Sequence, residues 1–254
     1  SWFELPHTEF DGMGGSLYIT KQFPGKISID YDVGQRTPPS LWKKLTAILC
    51  YLPETKLRKE CWQHYHRQDP SRSYKVVIHL DQDGVKKIKE DARISRSHLQ
   101  NYILKRLDRV VSNQLQSNNS QERWWMLPIN MRENKNKFSQ KNWTSYISMP
   151  IENGESERNI QQIMIGKLKA YEQWGAWFVM RLLSRLGSTI SYRCMEYYDR
   201  NHHEWCGIFT YQKYRNLLEN NQWSILGIAP ITKAHPIACN VIEDDNSLVI
   251  ASQM

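Results

Sequence analysis

Pro6-His7-Thr8-Glu9-Phe10-Asp11-Gly12-Met13-Gly14-Gly15 reads H-x-x-x-D-G followed by glycines. The chemistry of that order is specific. A histidine at the end of a strand can serve as a base. An aspartate four residues on can turn away from it and be held by a cation, which keeps the backbone around the histidine fixed. The glycine directly after can take a backbone conformation closed to other residues. His7 is therefore the candidate catalytic residue, with Asp11 and Gly12 as its structural supports. The pattern is short, and it occurs again at His79-Leu80-Asp81-Gln82-Asp83-Gly84. There, local structure already explains each residue: His79 alternates in a strand, Asp81 caps a helix and Asp83 sits in that helix's favourable first turn.

Working outward, 16–19 and 26–31 read as short strands, and Thr37-Pro38-Pro39-Ser40 opens a helix. Leu41, Leu45, Ile48, Leu49 and Leu52 share one face of that helix, with Lys43 and Lys44 off it. After a polar stretch over 54–72, the spacing predicts a strand over 74–80 and a helix carrying Val85, Ile88 and Ala92. A second helix, restarted at Ser95 or Ser97, carries Leu99, Ile103, Leu107 and Val110. Strands follow over 124–131 and 143–151, then one long helix over 155–186 striped by Ile160, Ile163, Met164, Leu168, Tyr171, Trp174, Phe178 and Leu182, with Gly187 as its stop. The last third reads as strands over 189–193, 205–211, 223–231, 237–242 and 248–252, the final two forming a hairpin. This order predicts a layered mixed sheet with packed helices, an α/β fold.

Composition narrows the class. The chain has 254 residues, 40% hydrophobic and 24% charged, which is ordinary for a globular protein with a sizeable core. The net charge of +8 favours anionic partners without choosing among nucleic acid, membrane surface and a phosphate-bearing small molecule. Five dispersed cysteines in a chain of this size imply reduced thiols and a cytoplasmic location. No apolar run approaches the ~20 residues of a membrane span. Cys61-x-x-His64-x-His66 and His202-His203-x-x-Cys206 match no common zinc module, so no metal is expected. The basic residues of 56–72, 86–109 and 132–141 read as solvated faces rather than a nucleic-acid surface.

Three segments together resemble the chloramphenicol-acetyltransferase-like acyltransferases, with the alcohol acyltransferases, wax ester synthases and peptide-synthetase condensation domains. The first is His7-Thr8-Glu9-Phe10-Asp11-Gly12. The second is Val76-Val77-Ile78-His79-Leu80-Asp81 with the helix pair after it. The third is Leu127-Pro128-Ile129-Asn130-Met131-Arg132 followed by Asn142-Trp143-Thr144-Ser145, like the family's V-P-V-N-x-R and G-N passage, although Lys141 stands where glycine is usual. The resemblance implies a chloramphenicol-acetyltransferase-like fold and acyl transfer from a thioester, coenzyme A or carrier-protein phosphopantetheine, to a small alcohol or amine. No tightly bound cofactor is implied. By the resemblance, His7 is the general base and Asp11 pairs with Arg132, while Asn142, Thr144 and Ser145 lie at the substrate, the last two as oxyanion donors. It divides the chain into a first-lobe remnant over 1–53, a linker over 54–73 and a second lobe over 74–254. The family's substantial first lobe before H-x-x-x-D-G is not in this sequence, so a separate chain supplying it is an expected partner. A non-catalytic binding subunit with the same fold and a basic nucleic-acid-binding protein are the competing functions.

Overall fold

The structure is a computed structural model that describes residues 38–54, 75–114, 122–133, 137–187, 189–194, 205–214, 237–244 and 247–253, with Met13, Leu17 and Tyr18. The strands expected over 26–31 and 223–231 and the proposed linker over 54–73 lie outside these residues, apart from Glu54. Five helices are described: α1 (Leu41–Glu54), α2 (Gln82–Ile94), α3 (Leu99–Gln114), α4 (Glu157–Lys169) and α5 (Glu172–Arg185). Six strands are β1 (Lys75–Leu80), β2 (Glu122–Asn130), β3 (Thr144–Glu152), β4 (Gly207–Lys213), β5 (Ala238–Glu243) and β6 (Leu248–Gln253). They form one mixed sheet in the order β1-β6-β5-β4-β2-β3. The β2–β4 and β4–β5 ladders are parallel, and the others antiparallel. The fold is α/β, a mixed sheet with packed helices, as the element order predicts.

Strand β2 organises the core. Its burial alternates, so Arg123, Trp125, Leu127 and Ile129 face inward from an almost continuous apolar sequence. They meet Ile147, Met149 and Ile151 of β3, Phe209 of β4, Cys239 and Val241 of β5, and the apolar stripes of the helices. Gly207 shows how tight this contact is. A Cβ there would lie 2.7 Å from a Trp125 ring carbon and 2.9 Å from the Ile237 carbonyl oxygen. Gly207→Ala is expected to cost about 1–3 kcal/mol, as overpacking does. A lower urea midpoint with an unchanged slope is the expected result, and an unchanged midpoint would show that the ring moves aside freely.

The N-terminal cap of α2 bears out the local reading of the second H-x-x-x-D-G. Asp81 Oδ1 accepts the Gly84 N–H at 2.9 Å, and Asp83 lies in the first turn. A side chain at Gly84 would crowd Asp81 Oδ1 and Leu80 Cβ, both at 3.3 Å, so the glycine serves the cap. His79 is exposed on β1, at the sheet's edge.

Four expectations are corrected. The long helix over 155–186 is two helices, broken where Tyr171 takes a left-handed conformation at φ 63°. The Tyr171 N–H donates to the Leu168 carbonyl at 3.2 Å, and α5 restarts with Trp174 N–H on the Tyr171 carbonyl at 2.8 Å. The apolar stripe continues across the break because both helices pack on β3. The strand expected over 189–193 is helical: Ser191 N–H donates to the Gly187 carbonyl at 3.0 Å, and the Ser191 hydroxyl to the Leu183 carbonyl at 2.6 Å. Gly187, at φ 91°, stops α5 and restarts the chain. Within the strand expected over 16–19, Leu17 and Tyr18 are helical, like Met13.

The fourth correction concerns α1, which is rotated so that most of the expected face points outward, with Ile48 half-buried at its margin. Leu41, Leu45 and Leu49 are 71%, 47% and 65% exposed, whereas Ala47 is 0% exposed. Lys43 donates to the Tyr171 hydroxyl at 3.1 Å, and the Lys44 ammonium lies 5.1 Å from the Phe178 ring centroid. Lysine stems cover apolar surface while their heads sit over aromatic faces, so a basic face can pack where a leucine face was expected. Residues on either side of the proposed linker, in α1 and α5, thus pack together.

Candidate active site

The site is built where β2 and β4 run out. These strands are parallel, and their pairing is confined to Trp125 with Gly207 and Met126 with Ile208. Pro128, which has no N–H to give, stands on β2 past the last of these pairs. Six residues on from the last pair come Arg132 on one side and Tyr214 on the other, at the same height by count along each strand. A crevice at the carboxyl ends of parallel strands is where open α/β sheets take ligands.

Arg132 is 0% exposed. Its Nη1 donates to Asn130 Oδ1 at 3.2 Å, its Nε to the Ser139 carbonyl at 3.1 Å and its Nη2 to the Lys141 carbonyl at 2.7 Å. Asn130 Oδ1 also accepts the Arg132 backbone N–H at 3.1 Å. The loop after β2 is therefore wrapped around the guanidinium and returned to β3. Lys141 takes part through its carbonyl, so a lysine at the family's glycine position leaves this contact intact. Asn142 Oδ1 accepts the Thr144 N–H at 3.1 Å, turning the chain into β3. The Ser145 hydroxyl is buried and donates to the Gln173 carbonyl at 2.6 Å, tying β3 to α5. Its one proton is thus engaged in that tie. Arg132, Asn142, Thr144 and Ser145 are brought together at one end of the β2–β3 hairpin.

On the β4 side, Tyr214 donates its hydroxyl to Gln212 Oε1 at 2.7 Å and its backbone N–H to the Glu243 carbonyl at 2.9 Å. The same hydroxyl lies 3.9 Å from Met13 Sδ. Tyr214 and Met13 are 2% and 8% exposed. His7, Asp11 and Gly12 lie outside the described residues, but Met13 follows Gly12 directly. Sequence reasoning missed Tyr214 because a tyrosine after an alternating strand carries no local signal of a partner 201 residues away.

Next to Tyr214, Glu243 is buried at the end of β5. It accepts from Lys89 at 2.8 Å and from the Tyr211 hydroxyl, with Lys213 at 3.5 Å. Burial pushes its carboxyl up, but the bonds from Lys89 and Tyr211 and the two lysine charges outweigh this and hold it below the usual range. Burial, then the bond to this carboxylate, pushes the Tyr211 hydroxyl well above the usual range. Glu243 thus fixes the ends of β4 and β5 to α2.

Other sequence candidates resolve differently. Cys50, Cys194, Cys206 and Cys239 are free thiols. Burial raises Cys239 to about 12, so it stays a thiol and a weak nucleophile. The remaining members of the zinc pattern lie outside the described residues, among which no cluster of three potential ligands occurs. Lys43 and Lys44 are engaged with Tyr171 and Phe178, Arg181 with Trp143 and Trp177, and Lys167 with Glu172. These basic residues serve packing. No helix among the described residues is long and apolar enough to cross a membrane.

No family model matches the sequence, and no curated protein matches it. Solved structures do. The condensation domain of the monacolin K polyketide synthase is similar over 97% of this chain and 62% of its own, at 12% identity and TM-score 0.56. A condensation domain for chain release from the enacyloxin polyketide synthase is similar over 98% of this chain and 52% of its own, at 9% identity and TM-score 0.60. The starter condensation domain of rhizomide synthetase, in complex with C8-CoA and Leu-SNAC, is similar over 96% and 57%, at 10% identity and TM-score 0.56. The chain has the condensation-domain fold and spans about three-fifths of the length of the first of these structures, 62%.

Proposed function

We propose that this chain moves an acyl group from a thioester to an alcohol or amine, with His7 as the general base. The contact of Met13 with Tyr214 carries the reading. It brings the residue after the motif to Tyr214, which follows the end of β4, while Arg132 follows the end of the neighbouring β2. Asp11 lies two residues before Met13, a reach of at most ~7 Å. A buried guanidinium calls for an anion, and Asp11 is the acid that the motif supplies. An Asp11–Arg132 pair then fixes the loop and turns His7 toward the crevice.

In the reaction, the His7 imidazole takes the proton from the acceptor's O–H or N–H as that atom attacks the thioester carbonyl. The C–S bond breaks as the oxyanion collapses, and the proton passes to the departing thiolate. An ordinary histidine pKa near ~6.5 suits both transfers. Thr144 and Ser145 are the proposed oxyanion donors, and the Ser145 hydroxyl would have to leave the Gln173 carbonyl to serve. The donor is acyl-CoA or a carrier-protein phosphopantetheine thioester, as the neighbours' chemistry suggests.

Thiol release from a panel of acyl-CoA and acyl-pantetheine thioesters, with alcohol and amine acceptors, tests this. Acceptor-dependent release that falls at least ~100-fold in His7→Ala is expected, the range of a positioned base. Release that His7→Ala leaves unchanged would move the chemistry elsewhere. A second reading is a non-catalytic binding subunit with the same fold. Under it, the folded protein shows no acceptor-dependent release with any member of the panel.

A further inference from the structure

We infer that the outward face of α1 is a docking surface for an anionic lipid membrane. At about 100° per residue, Leu41, Trp42, Leu45 and Leu49 fall within one sector of ~100° around the helix. The buried Ala47 lies on the opposite side, flanked around the helix by Lys43 and Lys44. The helix is thus amphipathic in the reverse of the usual sense: its apolar side meets water, and its lysines meet the rings of Tyr171 and Phe178. Trp42, at 79%, is the most exposed large apolar side chain among the described residues. The last turns of α5, which packs against α1, leave Leu182 and Leu186 exposed as well, and the helical stretch over 189–194 adds Ile190. Exposed apolar residues gathered in this way mark an interaction surface.

Charge chooses the partner. Residues 38–53 and 173–194 hold five cations, Lys43, Lys44, Arg181, Arg185 and Arg193, and no aspartate or glutamate. Aromatic rings position Lys43, Lys44 and Arg181 without cancelling their charge. A second copy docked here would set these cations against their like, with no acid to answer them. Lipid phosphates answer them directly, while leucines and an indole suit the boundary of the acyl chains. A helix is about 10 Å across, so an apolar face immersed by ~5–10 Å leaves the lysines on its far side at the level of the headgroups. The surface is independent of the acyltransferase reading.

Flotation of the whole chain with vesicles tests this. Vesicles of equimolar phosphatidylcholine and phosphatidylglycerol are expected to carry the protein, and phosphatidylcholine alone to carry at least ~10-fold less, since each cation near an anionic surface is worth about fivefold. Leu45→Glu with Leu49→Glu, both at exposed positions, is expected to lower binding to the anionic vesicles at least ~10-fold with the urea midpoint unchanged. Brominated acyl chains are expected to quench tryptophan fluorescence, and Trp42→Phe to remove most of that quenching. Protein that does not float with the anionic vesicles overturns the inference. Binding that the two glutamates leave unchanged also overturns it, by placing adsorption on another basic surface. A dimer, seen by light scattering, that the glutamates convert to monomer assigns the face to a second copy and overturns it too. Should the glutamate variant unfold, the quenching decides, and quenching that Trp42→Phe leaves in full overturns the inference.

Discussion

Arg132→Ala is expected to abolish acyl transfer and to lower stability by about 3–5 kcal/mol. The side chain is buried, and its removal takes the donors from the carbonyls of Ser139 and Lys141, while Asn130 Oδ1 keeps only the backbone N–H of residue 132. A buried acceptor left unmade costs about 1–3 kcal/mol. The loop over 137–143 would then lose what it wraps around, and β3 would lose its entry. Arg132→Lys keeps the charge but not the planar fork that reaches three acceptors in different directions. It should recover less than a tenth of the activity. The Asp11 partner is tested separately. In a cycle of Asp11→Ala, Arg132→Ala and the double variant, read by urea midpoints, a coupling of about 2 kcal/mol or more is expected. Additive losses would separate Asp11 from Arg132 and leave the His7 loop without its proposed anchor.

The sequence carried the sheet better than it carried the site. β3 follows from alternation, β2 from an apolar run and the β5–β6 hairpin from its turn residues, because each of these signals is written locally. The cap at Asp81 was legible for the same reason: Asp81, Asp83 and Gly84 lie within four residues and need no distant partner. What was not legible depended on packing. Tyr171 is an ordinary member of an apolar stripe, and nothing local says that it adopts the left-handed conformation that breaks the helix. The leucine face of α1 has the stronger apolar pattern, yet Lys43 and Lys44 face α5, since what decides is the aromatic surface Tyr171 and Phe178 offer. At the site, Arg132 was found through a motif that includes its acceptor Asn130, but two other acceptors are the backbone carbonyls of Ser139 and Lys141, which sequence does not display. Tyr214 had no motif at all and is visible only because the chain's start returns to the end of β4.

A second buried guanidinium, Arg123, stands near the start of β2, whose other end leads into Arg132; from Arg123 to Asn130 the strand runs about 23 Å at ~3.3 Å per residue. Here the carboxylate partner is seen directly. Arg123 Nε and Nη2 donate to the two oxygens of Asp108 at 2.7 Å each, and Nη1 to Asn153 Oδ1 at 2.7 Å. The Trp125 indole N–H adds a bond to Asp108 Oδ1 at 3.0 Å. One carboxylate on α3 thus holds β2, while Asn153 brings in the turn before α4. Asp108→Ala leaves a buried charge without its anion and is expected to cost about 3–5 kcal/mol. Replacing both groups together, as Asp108→Leu with Arg123→Met, removes the charge along with its partner and should cost much less. The folded fraction of each variant should turn over at the wild-type rate, because the pair lies at the far end of the strand from the crevice. Arg132→Lys should do the reverse, losing rate out of proportion to stability. Urea midpoints and thiol release on all three variants separate the two roles. A rate loss in Asp108→Ala beyond its unfolded fraction would mean that α3 and the crevice are coupled, and that β2 transmits strain from one buried arginine to the other.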